Sequence, residues 1–149
     1  MGRVGQAETI EISRKWLQWL KSQEIVKGKL ATIGWCFGGG WALSKATIKP
    51  VDATVVYYCR VNHPTGELRH LKGPVMGHCA THDIWINRDM VTLFKLGMLK
   101  VQKHWISHWH EAGYAFANLT GSRYDNKDAT LAWQRTIFQR LSSPGNKRL

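Results

Sequence analysis

Cysteine is scarce in this sequence, and its cysteines do not form closely spaced pairs. Cys36, Cys59 and Cys79 are the only three, and no Cys-x-x-Cys occurs. An odd number of widely spaced cysteines predicts neither a disulfide framework nor a zinc ribbon. Free thiols are typical of a reducing compartment, so we expect a cytoplasmic protein.

Long apolar runs are also missing. No stretch of the chain approaches the roughly 20 apolar residues that cross a bilayer. The first eight residues lack the apolar segment of a secretory signal peptide. Both absences argue against a membrane partner and agree with the expected cytoplasmic location.

Acidic residues are few. Lys and Arg number 21 against 10 Asp and Glu, which gives a net charge of +11. Such an excess can indicate a nucleic acid, an acidic membrane or an anionic substrate. The basic residues are spread along the chain without a long run, and no base-reading motif is present, so diffuse surface charge is favoured. A basic nucleic-acid-binding protein stays open as an alternative function.

The chain is long enough for one domain over residues 1–149, and 44% of its residues are hydrophobic. Apolar spacing predicts helices at 7–23, 38–45, 88–102 and 125–141. Runs of β-branched and aromatic residues predict strands at 29–33, 53–58, 74–80 and 104–110, with loops at 60–73 and 113–121. This alternation predicts an α/β fold with about four mostly parallel strands and flanking helices.

Cys36 lies at the centre of the motif Gly34-Trp35-Cys36-Phe37-Gly38, between a predicted strand and a predicted helix. The pattern Gly-x-nucleophile-x-Gly is typical of a nucleophile elbow, in which the glycines leave room for a sharp turn. The start of a helix favours a thiolate, because backbone dipoles there stabilise negative charge. The alternative is a small core cysteine beside a glycine-rich turn.

Two further positions should lie near Cys36. Asp83 follows the third predicted strand, and residue 114 lies in the loop after the fourth. In parallel sheets, functional groups gather at the carboxyl ends of the strands. The order nucleophile, acid, third group is that of α/β-hydrolases. Asp83 could instead be an ordinary turn residue.

Several segments resemble the dienelactone hydrolases, over about residues 29–141. They are Gly34-Trp-Cys-Phe-Gly-Gly39, Asp52-Ala-Thr-Val-Val-Tyr-Tyr58, Pro74-Val-Met-Gly-His-Cys-Ala-Thr-His-Asp83, Ala115-Phe-Ala-Asn118, Arg123-Tyr-Asp125 and Ala132-Trp-Gln-Arg-Thr136. The resemblance implies a Cys-His-Asp triad that opens a lactone or ester without a cofactor. It implies that Cys36 is the nucleophile, Asp83 the acid and residue 114 the histidine, and that the Phe37 N–H helps to bind the oxyanion.

The chain departs from that family at residue 114, which is tyrosine. A phenol with a pKa of about 10 does not act as a general base at neutral pH. We expect Tyr114 to donate a hydrogen bond to Asp83 instead, and activity to be weak or lost. Whether the chain is an enzyme stays open, and a non-catalytic small-molecule-binding or assembly protein is the main alternative.

Three other histidines are candidates for a substitute base. His78, His82 and His110 lie near the expected site in sequence but not at the expected position. The spacing of His104, His108 and His110 predicts instead that they share one partly exposed face of the last strand. Histidines and cysteines near residues 59–82 match no standard zinc motif, so we expect no metal site.

Polar and aromatic residues flank the expected site. Asn118 and Arg123 could hold the carboxylate of a substrate. Trp35 and Trp85 could line the pocket, although packing in the core is the more ordinary role.

The resemblance covers only the C-terminal half of the family's fold, which implies a truncated α/β-hydrolase domain. The strand at 29–33 would then lie at an exposed edge of the sheet. Natural proteins rarely leave such an edge unpaired. We therefore expect a homodimer formed through this edge.

Overall fold

A computed structural model describes residues 6–26 and 28–138. The chain divides into two compact units, residues 1–30 and residues 31–149. Helix α1 (Gln6–Ser22) belongs to the first unit and agrees within one residue with the predicted helix. On this helix Trp16 and Trp19 pack edge to face, with ring centroids 5.4 Å apart.

The second unit is built on a four-stranded sheet in the order β1-β2-β3-β4. Every neighbouring pair is parallel, as the alternation of predicted elements indicated. The strands are β1 (Ala31–Trp35), β2 (Ala53–Tyr57), β3 (Val75–Ala80) and β4 (Trp105–His110). Strands β2 and β3 are buried along their whole length because each has a strand on both sides and packed side chains on its faces.

In the described part of this unit, four helices accompany the sheet. They are α2 (Cys36–Ile48), α3 (Thr65–Leu68), α4 (Arg88–Lys100) and α5 (Asn126–Phe138). Helix α2 packs on β1 and β2, α3 packs on α4, and α5 packs on β4. Asn87 caps α4 as expected, since its side chain accepts a hydrogen bond from the N–H of Met90 at 3.0 Å.

Three element boundaries differ from the sequence prediction. Strand β1 lies two residues later than predicted, so Gly34 is part of the strand. Helix α2 begins at Cys36 rather than at residue 38, because the turn into the helix takes no intervening loop. The predicted loop at 60–73 contains the short helix α3. The last three residues of the predicted helix 125–141 lie outside the described residues.

Strand β1 forms one edge of the sheet, as expected from the sequence. Its side chains are partly open to solvent, with Ile33 40% and Trp35 39% exposed. At the other edge, β4 ends at His110, which is only 1% exposed. The expectation of a partly exposed histidine face is therefore wrong for His110, because this ring faces the core under α5.

The core of this unit lies behind the carboxyl ends of β2 and β3. Three of its eight buried members are aromatic, and Cys36 and Tyr114 pack against its surface. Its buried members are Val55, Tyr57, Tyr58, Met76, Ala80, Ala112, Phe116 and Ala132. Across the described residues, no helix combines the length and the apolar character needed to span a membrane.

Candidate active site

Cys36 occupies a sharp turn between β1 and α2. Its backbone φ is 50°, in the left-handed region that non-glycine residues rarely adopt. Trp35, directly before it, is extended, with φ −116° and ψ 146°. The chain thus passes from strand to helix within one residue and presents a half-buried thiol at the helix N-terminus. The turn that the motif predicts is present.

Of the two motif glycines, only Gly34 is needed for space, and the second crowded position is Gly39. A Cβ on Gly34 would collide with the carbonyl group of Gly38. A Cβ on Gly39 would lie 2.6 Å from Cβ and 2.9 Å from Sγ of Cys59. Gly38, which we expected to need the space, would place its Cβ where no atom lies within 4 Å. The close contacts that exclude a side chain therefore occur at Gly34 and Gly39.

Tyr114 and Cys36 both pack against the core, at the carboxyl ends of the strands. The hydrogen bond with Cys36, then burial and the nearby charges of Cys36 and Asp83, raise the pKa of Tyr114 to about 12. A phenol with so high a pKa stays protonated at neutral pH and donates its hydrogen. The ring is held edge-on by Trp85, at 5.1 Å and 90°, and by Tyr58, at 5.5 Å.

Asp83 is 5% exposed and uses only one of its two carboxyl oxygens. Its Oδ1 accepts hydrogen bonds from the N–H groups of Trp85 at 2.8 Å and Ile86 at 3.0 Å. Its Oδ2 is buried and has no hydrogen-bond partner among the described residues. The expected bond from Tyr114 to Asp83 is wrong, because Oδ1 accepts from two backbone N–H groups and Oδ2 has no partner among the described residues.

The sequence reasoning missed Tyr58 as a site residue. It follows β2, has a φ of 34° and packs its ring against Tyr114 and Phe116. The pairing of β1 with β2 explains its place. Trp35 lies opposite Tyr57, so the residues that follow them, Cys36 and Tyr58, are neighbours. Positive φ values at Cys36, Tyr58 and Ala115 concentrate backbone strain around the site, as is common at functional sites.

The three histidines considered as a substitute base have other hydrogen-bond partners. His78 and His110 are buried and bond to each other, Nδ1 to Nε2, at 3.1 Å. His82 is 63% exposed in its side chain and contacts Glu111 at 2.8 Å. In the described part of the chain, none of these contacts places an imidazole at the sulfur of Cys36.

Of the four residues expected to bind substrate, Arg123 and Trp85 lie together beside Tyr114, whereas Asn118 and Trp35 have other contacts. Arg123 lies over the ring of Trp85, with its guanidinium carbon 5.7 Å from the ring centroid, so a cation and an aromatic face lie beside Tyr114. Asn118 is exposed and accepts a hydrogen bond from Thr120 at 3.2 Å. Trp35 stacks on Tyr57 at 5.2 Å and is thereby part of the packing around the core.

The backbone of Phe37 lies in the first turn of α2, where N–H groups have no acceptor within the helix. Its side chain is 80% exposed. The Phe37 N–H is therefore placed at the same helix terminus as the thiol. Over residues 6–26 and 28–138, no three His, Cys, Asp or Glu side chains lie close enough to hold a metal ion.

Comparison with known proteins identifies the family of this chain. The model of the dienelactone hydrolase family matches residues 1–140. The chain belongs to the dienelactone hydrolase family. Among curated relatives, it is 30% identical over 140 residues to a Saccharolobus solfataricus protein provisionally named a carboxymethylenebutenolidase, covering 92% of this chain and 53% of that protein. It is 27% identical over 125 residues to the carboxymethylenebutenolidase of Pseudomonas putida, covering 81% and 52%.

Solved structures show the same fold. This family member superposes with a TM-score of 0.77 at 21% identity on a dienelactone hydrolase-like promiscuous phosphotriesterase from metagenomic libraries, covering 88% of this chain and 59% of that one. The TM-score is 0.76 at 20% identity for a Klebsiella pneumoniae protein provisionally assigned as a dienelactone hydrolase, covering 91% and 61%. The chain thus spans about half the length of the curated relatives it matches.

Proposed function

We propose that this chain carries a thiol nucleophile for activated esters and lactones, and that Cys36 is acylated faster than the acyl group is released. The observation that supports the proposal is the arrangement of Cys36, Tyr114 and Asp83. The thiol lies at a strained strand-to-helix turn, and a phenol takes the place of a base. Oδ2 of Asp83, which could orient a base, has no partner within residues 6–26 and 28–138.

Acylation needs little beyond the thiol itself. The sulfur of Cys36 adds to the carbonyl carbon, and the thiol proton passes to solvent. The carbon–oxygen bond to the leaving group then breaks, and the released alkoxide takes a proton from water. The Phe37 N–H, at the start of α2, is the group that would stabilise the negative oxygen in between.

Release of the acyl group is the step that should fail. Hydrolysis of a thioester at neutral pH is accelerated by a base that takes a proton from water, and imidazole is the usual one. Tyr114 cannot take this role, since its raised pKa of about 12 keeps it protonated. The site is thus expected to stop at the acyl-enzyme stage and to turn over slowly.

The rim of the site suggests the substrate class. Arg123 and Trp85 present a positive charge and a flat apolar ring beside Tyr114. This pairing suits a planar unsaturated acid whose carboxylate reaches Arg123 while its lactone or ester carbonyl meets Cys36. The names of the curated relatives, carboxymethylenebutenolidases, agree with such a substrate.

Acyl transfer to Cys36 can be measured directly with p-nitrophenyl acetate. We expect a burst of about one nitrophenolate per chain, a mass gain of one acetyl group on Cys36, and a slow steady state. Cys36→Ala should abolish the burst. Cys79→Ala is the matched control, because the pKa of the buried Cys79 thiol is raised to about 12 by burial and it should not react.

Absence of a burst in a folded protein would overturn this proposal. The non-catalytic alternative would then be favoured, in which the same site binds a small acid or the chain serves in assembly. Rapid turnover without accumulation of acetyl-enzyme would also contradict it, because a base other than residue 114 would then have to be acting.

A further inference from the structure

Large apolar side chains flank the thiol site with most of their surface open to solvent. Among the described residues of the second unit, four large apolar side chains are at least 75% exposed, and these are Phe37, Ile84, Leu119 and Phe138. Three of the four lie in the segments that follow β1, β3 and β4, whereas Phe138 is the last residue of α5. The most exposed apolar side chains of this unit are therefore concentrated at one edge of the sheet.

Each of these three residues adjoins a part of the candidate site. Phe37 directly follows the thiol residue, Ile84 directly follows the buried acid, and Leu119 lies in the loop that carries Tyr114. All neighbouring strands are parallel, so the segments after β1, β3 and β4 emerge at the same edge of the sheet. The three apolar side chains thus belong to the border of a single site.

The turn after β3 fixes the position of Ile84. The N–H groups of Trp85 and Ile86 both bond to Oδ1 of Asp83, at 2.8 and 3.0 Å, and this closes a tight turn around Ile84. Ile86 is buried, whereas Ile84 is exposed. The exposure of Ile84 is therefore set by a hydrogen-bonded turn.

The loop after β4 fixes Leu119 in a similar way. The N–H of Asn118 bonds to the carbonyl oxygen of Ala115 at 2.9 Å. The N–H of Gly121 bonds to the carbonyl oxygen of Asn118, also at 2.9 Å. Leu119 lies within the second of these two turns, and its side chain is exposed there.

Both ends of this loop meet the ring of Trp85. Tyr114 packs edge-on against the ring at 5.1 Å, and the guanidinium carbon of Arg123 lies 5.7 Å from the ring centroid. Trp85 is itself half exposed and directly follows Ile84. The segments that hold Ile84 and Leu119 are thus joined through one partly exposed indole ring beside Tyr114.

An apolar surface next to a nucleophile can contribute to substrate binding. Single exposed leucines and isoleucines are ordinary on protein surfaces. Several of them held in hydrogen-bonded turns around one thiol can remove an apolar part of a substrate from water, which is favourable in proportion to the area buried. No contact within the folded chain has to break for this, because these side chains are already open to solvent.

We propose that four exposed residues form an apolar rim that selects substrates with an extended apolar part. The apolar rim consists of Phe37, Ile84, Trp85 and Leu119. This inference rests on the proposed function, since it names the substrate class of the same thiol site. That class is amphiphilic esters and lactones. Their carbonyl group meets Cys36, their alkyl or aryl part lies along the apolar rim, and a carboxylate, where the substrate has one, reaches Arg123.

Acylation by esters of increasing chain length measures this selection. The burst with p-nitrophenyl acetate, butyrate and hexanoate gives an acylation constant for each ester, and division by the constant for N-acetylcysteine removes differences in intrinsic reactivity. Full burial of one methylene group is worth about fourfold, so a surface that covers the chain on one side should give about twofold. Hexanoate has four more methylene groups than acetate, and we expect its corrected constant to be about tenfold higher or more.

Serine variants test whether the apolar rim causes the preference. Ile84→Ser and Leu119→Ser should each lower the ratio of hexanoate to acetate by about twofold, and the double variant should lower it further. Leu93→Ser is the matched control, because Leu93 is an exposed leucine in the middle of α4 and outside the apolar rim. It should leave the ratio unchanged. A wild-type ratio near one, or a high ratio that survives in the double variant, would overturn the inference.

Light scattering on the same variants separates substrate selection from self-association. A dimer that dissociates in the double variant while the ratio stays unchanged would make these residues an interface between copies and would refute the apolar rim. A burst with acetate together with a wild-type ratio near one would also refute the apolar rim, but it would leave the proposed function standing.

Binding can be measured without any acylation. In Cys36→Ala, hexanoate should shift the NMR signals of the Trp85 indole N–H and of the Ile84 and Leu119 methyl groups at concentrations about tenfold lower than acetate does. Both ions carry the same charge, so the difference reports the apolar chain. Equal concentrations for the two ions, or no shift of these signals, would overturn the apolar rim even in a protein that shows no burst.

Discussion

Hydrogen bonding between Tyr114 and Cys36 is the largest cause that raises the pKa of Tyr114 to about 12. An imidazole has two nitrogens and could face the sulfur with one and an acid with the other. A phenol has one oxygen and serves only one partner. This difference explains why the buried Oδ2 of Asp83 has no partner among the described residues.

Tyr114→His should convert slow release into turnover. The imidazole would place one nitrogen toward Cys36 and the other toward Oδ2 of Asp83. A positioned general base contributes about 10²- to 10⁴-fold, so we expect steady-state hydrolysis of p-nitrophenyl acetate to rise by about 10²-fold or more. Steady-state rates after the burst check this, with Cys36→Ala/Tyr114→His as the control. A folded variant without any gain would show that residue 114 is not what limits release.

Asp83→Asn should separate the structural role of Asp83 from its catalytic one. An amide oxygen can still accept from the N–H groups of Trp85 and Ile86, so the free energy of unfolding should change little. Asp83→Ala leaves both N–H groups without their acceptor and should cost about 1–3 kcal/mol in a denaturant titration. In the Tyr114→His background, Asp83→Asn should remove most of the gain in turnover. A gain that survives Asp83→Asn would mean that the imidazole is not oriented by Asp83.

The ionisation of Tyr114 should report its bond to Cys36. In Cys36→Ala, both the hydrogen bond and the sulfur charge are lost, so the pKa of Tyr114 should fall from about 12 toward its ordinary value of 10. Carbon NMR of ring-labelled tyrosine measures this titration, and Tyr114→Phe identifies the signal. If Tyr114 titrates at the same pH with and without Cys36, the proposed contact is not formed in solution.

Gly38→Ala and Gly39→Ala should differ although the residues are adjacent. Alanine at 39 would push against Cys59, and overpacking of this kind costs about 1–3 kcal/mol. Alanine at 38 meets open space and favours the helix, which should stabilise by up to about 1 kcal/mol. Thermal or denaturant unfolding compares the two. Cys59→Gly should relieve much of the Gly39→Ala penalty, and equal effects at 38 and 39 would contradict the packing.

Pairing through the β1 edge stays a prediction. In the described residues, β1 has a strand on one side only, and Ile33 and Trp35 are partly exposed there. We expect a second copy of the chain to pair with this edge, giving a dimer by light scattering at micromolar concentration. Ile33→Lys should weaken the dimer, since charged residues oppose edge pairing. A monomeric wild-type chain under these conditions would refute the expectation.

The arrangement of elements could be read from local patterns. Buried strands at 53–58 and 74–80, the cap at Asn87 and the motif around Cys36 each depend on neighbours in sequence, and each is present in the structure. The predicted strand β1 lies two residues too early, and the predicted start of α2 lies two residues too late. The motif alone does not say whether its glycines belong to a strand, a turn or a helix.

The sequence by itself determined the parallel α/β order and the residues that meet at the carboxyl ends of the strands, because periodicity and turn glycines act over short distances. Only the tertiary structure decided which atoms face one another. It placed Tyr114 beside Cys36 without a bond to Asp83, made Gly39 rather than Gly38 a crowded position, and buried His110 against Asp128. Each of these outcomes depends on side chains brought together from distant parts of the chain, and a hydrogen bond or a steric clash is decided within a few tenths of an ångström.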